Sequence, residues 1–188
     1  APTERRGETR EGGQTTEPGQ PPVDVNACTQ DAVRLHEAIA GAGTTESVLN
    51  EILSNRSNAE INEIKAAYQR MYGVSLEDDI KGDTSGDYED MLVELLKANR
   101  DESGQVNQAQ ATQDAVRLHE AIAGAGTTES VLNEILSRRS RRQIDAIAAA
   151  YQNMFGESLE DAIRGDTGGD YEDLLVAQLN RRDTARRQ

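Results

Sequence analysis

Tryptophan is missing from this chain, and five tyrosines and one phenylalanine are its only aromatic residues. Any core must therefore be aliphatic. There is one cysteine, Cys28, which excludes a disulfide within the chain and says little about compartment. No apolar run approaches the roughly 20 residues that cross a bilayer as a helix. Residues 1–27 hold no apolar stretch of the signal-peptide kind. Basic charge is in deficit, with 20 Lys and Arg against 34 Asp and Glu and a net charge of −14. Nucleic-acid binding leaves a basic footprint, so this balance argues against it. Unaided attachment to an anionic membrane is disfavoured too, because like charges repel. A divalent cation between the two surfaces removes that second objection. The expected location is cytoplasmic, or peripheral at a membrane.

What the chain does have is repetition. Thr29–Ser54 is identical to Thr112–Ser137, and the two copies stay in register without a gap to Leu96 and Leu179. Internal repetition outranks other sequence signals. Each copy reads as five amphipathic helices with stripes facing a common core. In the first copy they fall at about 30–40 (Ala32, Leu35, Ile39), 45–54 (Val48, Leu49, Ile52, Leu53) and 58–72 (Ile61, Ile64, Tyr68, Met71). A short fourth helix follows at 76–82 (Leu76, Ile80), and a fifth at 86–99 (Leu92, Leu95, Leu96). Ser57-x-x-Glu60 and Ser140-x-x-Gln143 are capping boxes, and Gly73 and Gly156 stop the third helix of each copy. The expected organisation is a disordered Pro/Gly-rich tail over 1–28, which holds all four prolines, and a first repeat over 29–100. A polar linker over 101–111, a second repeat over 112–183 and a basic end over 184–188 complete it.

Within each repeat one pattern carries chemistry. Gly41-Ala42-Gly43-Thr44 is followed, after 38 residues, by Asp83; Gly124-Ala125-Gly126-Thr127 and Asp166 return the same arrangement. Glycine accepts backbone angles that a side chain forbids, so such a loop can turn its carbonyls to one side. Carbonyls and a carboxylate are hard oxygen ligands of the kind calcium takes. An EF-hand starting at Asp83 is excluded, because its sixth position needs Gly and holds Tyr88, or Tyr171 in the second copy.

Gly-x-Gly-Thr with this gap to an acidic residue resembles the type II calcium site of annexins. The flanks agree: Arg56-Ser57-Asn58-Ala59-Glu60-Ile61 is similar to the start of the annexin third helix, and Ser75-Leu76-Glu77-Asp78-Asp79-Ile80 to the fourth. Gly86-Asp87-Tyr88-Glu89 resembles the opening of the fifth. The resemblance implies an all-α fold of annexin-like five-helix repeats, two here, packed as a half-module. It implies calcium ligands at the carbonyls of Ile39, Gly41 and Gly43 with the Asp83 carboxylate, and at Ile122, Gly124, Gly126 and Asp166 in the second copy. A minor site at the same loop would use Thr44 with Glu46, and Thr127 with Glu129. The implied function is calcium-dependent binding to anionic phospholipid, with calcium held by the loop bridging to lipid phosphate. With one carboxylate per site, calcium affinity without lipid should fall roughly in the 10⁻⁴–10⁻³ M class. Three departures stand out. The chain has two repeats where annexins usually have four. Ala40 and Ala123 occupy the place before the first glycine where the family often has Lys or Arg, and the small Ala42 and Ala125 sit between the glycines.

The rival reading is a structural or protein-interaction module with idle calcium loops, part of a larger polypeptide. No nucleophile–base–orienter set appears, so no enzyme is expected; Asp78-Asp79 becomes Asp161-Ala162 in the second copy. His36 and His119 have no Cys or second His nearby and read as solvated or locally bonded. Arg138, Arg139, Arg141 and Arg142 are the one basic cluster: a headgroup or partner site on one reading, a solvated helix junction on the other. They sit about ten residues along a helix from the second loop, on the order of 15 Å, and so face away from a membrane bound through it. The apolar run Ile144, Ile147, Ala148, Ala149, Ala150 and Tyr151 suggests a docking surface. The two copies are expected to satisfy each other first, with a homodimer of half-modules as the further assembly.

Overall fold

The computed structural model describes residues 22–182 apart from Ala42 and Ala125. The first repeat contains α1 (Val25–Ala40), α2 (Glu46–Asn55), α3 (Asn58–Tyr72), α4 (Leu76–Asp83) and α5 (Gly86–Leu96). The second contains α6 (Gln108–Ala123), α7 (Glu129–Arg138), α8 (Arg141–Phe155), α9 (Leu159–Asp166) and α10 (Gly169–Leu179). Among the described residues there is no strand. Most of the expected tail and all of the basic end at 184–188 lie outside the described residues.

The apolar stripes place the helices, and the caps set their ends. The Asp24 carboxylate accepts the Ala27 N–H, and the Asn107 side chain accepts the Gln110 N–H. These equivalent caps start α1 at Val25 and α6 at Gln108, a turn before their apolar stripes begin. Both capping boxes form with both reciprocal hydrogen bonds, and Gly73 and Gly156 end α3 and α8 at φ 71°. The fifth helix stops at Leu96, earlier than its expected end at 99; Ala98 follows at φ 52°, outside any helix.

Inside each repeat α1 lies on α3 and α6 on α8. His36 stacks on Tyr72, ring centres 3.7 Å apart, and His119 stacks equally closely on Phe155. A buried ion pair then ties the first helix to the turn before the third. Asp31 accepts two hydrogen bonds from Arg56, at 2.6 and 3.0 Å, and Asp114 accepts two from Arg139 at 2.7 and 3.1 Å. Planar, bidentate pairing of this kind suits arginine and carboxylate.

Between repeats, α2 packs on α10, α5 on α7 and α5 on α10. Tyr88 and Tyr171 donate to Asn50 and Asn133, both at 2.7 Å, joining α5 to α2 and α10 to α7. The seam itself is held by Gln178, which stands where the first repeat has Leu95 and is fully buried. It accepts from Arg100 at 2.8 Å and donates to Ser54 at 2.7 Å. Arg100 also donates to the Leu136 and Arg139 carbonyls. The result is the two-repeat half-module. The apolar face of α8 proves to be spent within its own repeat: Ile144, Ile147, Ala150 and Tyr151 are buried, and of the six residues only Ala149 is exposed.

Candidate functional site

Each glycine loop joins the C-terminus of one helix to the N-terminus of the next. The Gly41 N–H reaches back to the Glu37 carbonyl at 3.3 Å, and the Thr45 N–H to the Ala38 carbonyl at 3.0 Å. A Cβ at Gly41 would stand 3.2 Å from the Glu37 oxygen, so the chain passes too close to the helix end for a side chain to fit without a shift. Gly43 has φ +99°, a conformation that side chains rarely adopt. Gly124 and Gly126 repeat both features, with 3.2 Å to the Glu120 oxygen and φ +96°.

Asp83 is the last residue of α4, and the fold brings it to the loop. The Thr44 hydroxyl donates to its carboxylate, and Thr127 does the same to Asp166. Two segments 39 positions apart thus meet in both repeats. Ile39 and Ile122 lie in the last turns of α1 and α6 with side chains packed on the core, leaving only main-chain oxygen to offer a ligand. Glu46 and Glu129 open α2 and α7. Among the described residues no group of three or more His, Cys, Asp or Glu side chains is placed to hold a metal. Asp83 and Asp166 are the carboxylates that meet the loops through a side-chain hydrogen bond. An all-oxygen donor set is of the kind that fits calcium.

The surroundings add negative charge. A cleft of about 540 Å³ runs from Thr44, Thr45 and Glu46 to Asp170 and Asp173 of the other repeat. A cleft of about 760 Å³ does the same from Thr127, Thr128 and Glu129 to Asp87 and Asp90. Asp87 is exposed, yet partial desolvation at the cleft, then Glu129 and Asp90, hold its carboxyl above the ordinary value. Partial desolvation, then Glu46 and Asp173, do so for the equally exposed Asp170. Glu46 and Glu129 therefore act across the seam, on Asp170 and Asp87 of the opposite repeat. The acidic partners supplied by the opposite repeat could not be paired from spacing within one repeat.

The arginine cluster separates into distinct fates. Arg139 holds Asp114, and Arg138 lies 3.8 Å from Glu94 of the first repeat. Arg141 pairs with Asp145 and donates to the Arg181 carbonyl. Asp79 accepts from the buried Tyr68 hydroxyl, a structural use of the carboxylate.

Among the described residues, ten helices in two repeats, each repeat with a loop threonine meeting a distant carboxylate, define the class of protein. The family model described as Annexin matches residues 30–95 and 113–177. The chain belongs to the annexin family. It is 49% identical to annexin A13 of Homo sapiens over 140 residues, 74% of this chain and 44% of that protein. It is 43% identical to annexin A5 of Homo sapiens over 149 residues, 79% of this chain and 43% of that one. Among solved structures it superposes on annexin III with TM-score 0.80 at 39% identity, covering 81% of this chain and 48% of that chain. On a structure described as calcium-bound annexin (Sm)1 the TM-score is 0.73 at 30% identity, covering 84% and 49%. The chain spans a little under half the length of these relatives.

Proposed function

We propose that this chain attaches reversibly to anionic phospholipid in a calcium-dependent way and performs no catalysis. The observation that carries this reading is the meeting of Thr44 with Asp83, and of Thr127 with Asp166, across the same gap in both repeats. The proposed ligands are the main-chain oxygens of Ile39, Gly41 and Gly43 with the Asp83 carboxylate, and those of Ile122, Gly124 and Gly126 with Asp166. Glycines 43 and 126 hold the left-handed turn, and Thr44 and Thr127 fix the carboxylate against the loop. Thr44 with Glu46, and Thr127 with Glu129, form the proposed minor site. Calcium held at these oxygens supplies further coordination positions that lipid phosphate can fill, joining two surfaces of like charge. The acidic clefts beside the loops raise the local concentration of cations.

The second reading is a structural or interaction module with idle loops. It is favoured by the single carboxylate at each glycine loop and by Ala40 and Ala123 before it. Co-sedimentation with phosphatidylserine vesicles separates the two. Pelleting in calcium and release by chelator supports attachment, and equal recovery in the supernatant under both conditions supports the idle module.

A further inference from the structure

At the end of the seam remote from the loops lies a cavity of about 70 Å³. It sits beyond the C-terminus of α2, ten residues from the loop end of that helix, or about 15 Å. Asn55, Ser140, Arg142, Arg181 and Arg182 contribute to its wall. In a chain of net charge −14, five arginines and two carboxylates line this one opening.

The two carboxylates are turned to other donors. Glu102 accepts the Asn58 N–H at 3.1 Å, and Asp101 accepts from Ser103 and Gln143, both at 2.8 Å. Arg56 is held by Asp31, and Arg100 donates to two carbonyls and Gln178. Arg142 and Arg182 are different: both are exposed, and among the described residues no carboxylate pairs with either. The Arg142 guanidinium lies over Gly104, where a Cβ would approach its Nη1 to 4.0 Å. The Arg182 main chain is anchored, its N–H donating to Asn55 at 2.8 Å. Arg142 replaces Ala59 of the first repeat, so repeat symmetry does not account for it.

We propose that this seam cavity is a binding site for a phosphate-type oxyanion, with Arg142 and Arg182 as its principal charged donors. Size supports a small ligand. The volume equals about two waters' share of liquid, far below the roughly 300 Å³ at which drug-sized pockets begin. Planar guanidinium groups match phosphate oxygens in geometry. The site is independent of calcium, and it gives Arg142 of the arginine cluster a use that vesicle attachment through the loops leaves open.

The test is isothermal titration of the full chain with inorganic phosphate, in chelator and at constant ionic strength set with chloride. Saturable binding is expected, weakened on the order of tenfold or more in Arg142→Gln/Arg182→Gln, whose helicity should match the unaltered chain. Asp83→Ala/Asp166→Ala should bind phosphate normally, which separates this site from the loops. Vesicles of phosphatidic acid in chelator identify the source. Arginine-dependent flotation marks a lipid headgroup, and binding to inorganic phosphate without flotation marks a soluble phosphate. Absence of saturable binding, or equal binding by the arginine variant, overturns the proposal.

Discussion

Removing one carboxylate should expose how far the half-module depends on its buried ion pairs. Asp114 is 3% exposed and receives hydrogen bonds of 2.7 and 3.1 Å from Arg139. Asp114→Ala leaves that guanidinium without its partner beneath α6. Breaking a buried pair from one side costs roughly 3–5 kcal/mol. The Arg139 side chain keeps 19% of its surface in water, so the lower end applies, about 3 kcal/mol. For a chain of this size that corresponds to a fall in Tm of roughly 6–12 °C. Circular dichroism at 222 nm, read in thermal and urea unfolding, measures it. Asp31→Ala should cost a similar amount, because Arg56 binds Asp31 in the same geometry. Asp114→Ala/Arg139→Met should cost less than Asp114→Ala alone, since it removes the stranded charge. A loss under about 1 kcal/mol for Asp114→Ala, typical of a surface pair, would refute the reasoning.

Gln178→Leu should destabilise by about 1–3 kcal/mol despite restoring the residue of the first repeat, because Arg100 and Ser54 lose their buried partner; urea unfolding reads this. Asp87→Asn/Asp170→Asn should raise Tm at pH 7 in chelator by about 1–2 °C. Both carboxyls have folded values above the ordinary one, so the folded chain holds their protons more tightly and ionisation costs stability. The gain should disappear as pH falls below the usual Asp range. Gly43→Ala should cost roughly 1–2 kcal/mol through its positive φ. It should also raise the calcium concentration needed for vesicle pelleting. Light scattering should give a mass near 20.5 kDa with and without calcium, because the apolar stripe of α8 is used within its own repeat; a doubled mass would support the homodimer.

Much of the architecture was legible because repetition and helical spacing are strong signals. The third helix at 58–72 matches α3, and both capping boxes form as their spacing suggests. The starts of α1 and α6 were not legible. Asp24 and Asn107 are ordinary polar residues until the helices they cap are seen. Tertiary pairing was hidden for the same reason. Nothing in sequence joins Asp31 to Arg56, and the arginine cluster read as one unit although each member has a different neighbour. The histidines also gave no sign that they stack on Tyr72 and Phe155. Substitution of Gln178 for Leu95 was visible as a break in the repeat. Its meaning needed Arg100 and Ser54 beside it. At the loops, the 38-residue gap carried the essential information, since Thr44 does meet Asp83.

The measurement that bears most directly on the calcium reading is vesicle co-sedimentation of Asp83→Ala/Asp166→Ala beside the unaltered chain, in calcium and in chelator. Each loop has one assigned carboxylate, so the double variant should stay in the supernatant in calcium while its helicity is unchanged. The unaltered chain should pellet in calcium and be released by chelator even at low ionic strength, where basic patches bind best. If the double variant pelleted in calcium like the unaltered chain, the ligand assignment at both loops would be wrong.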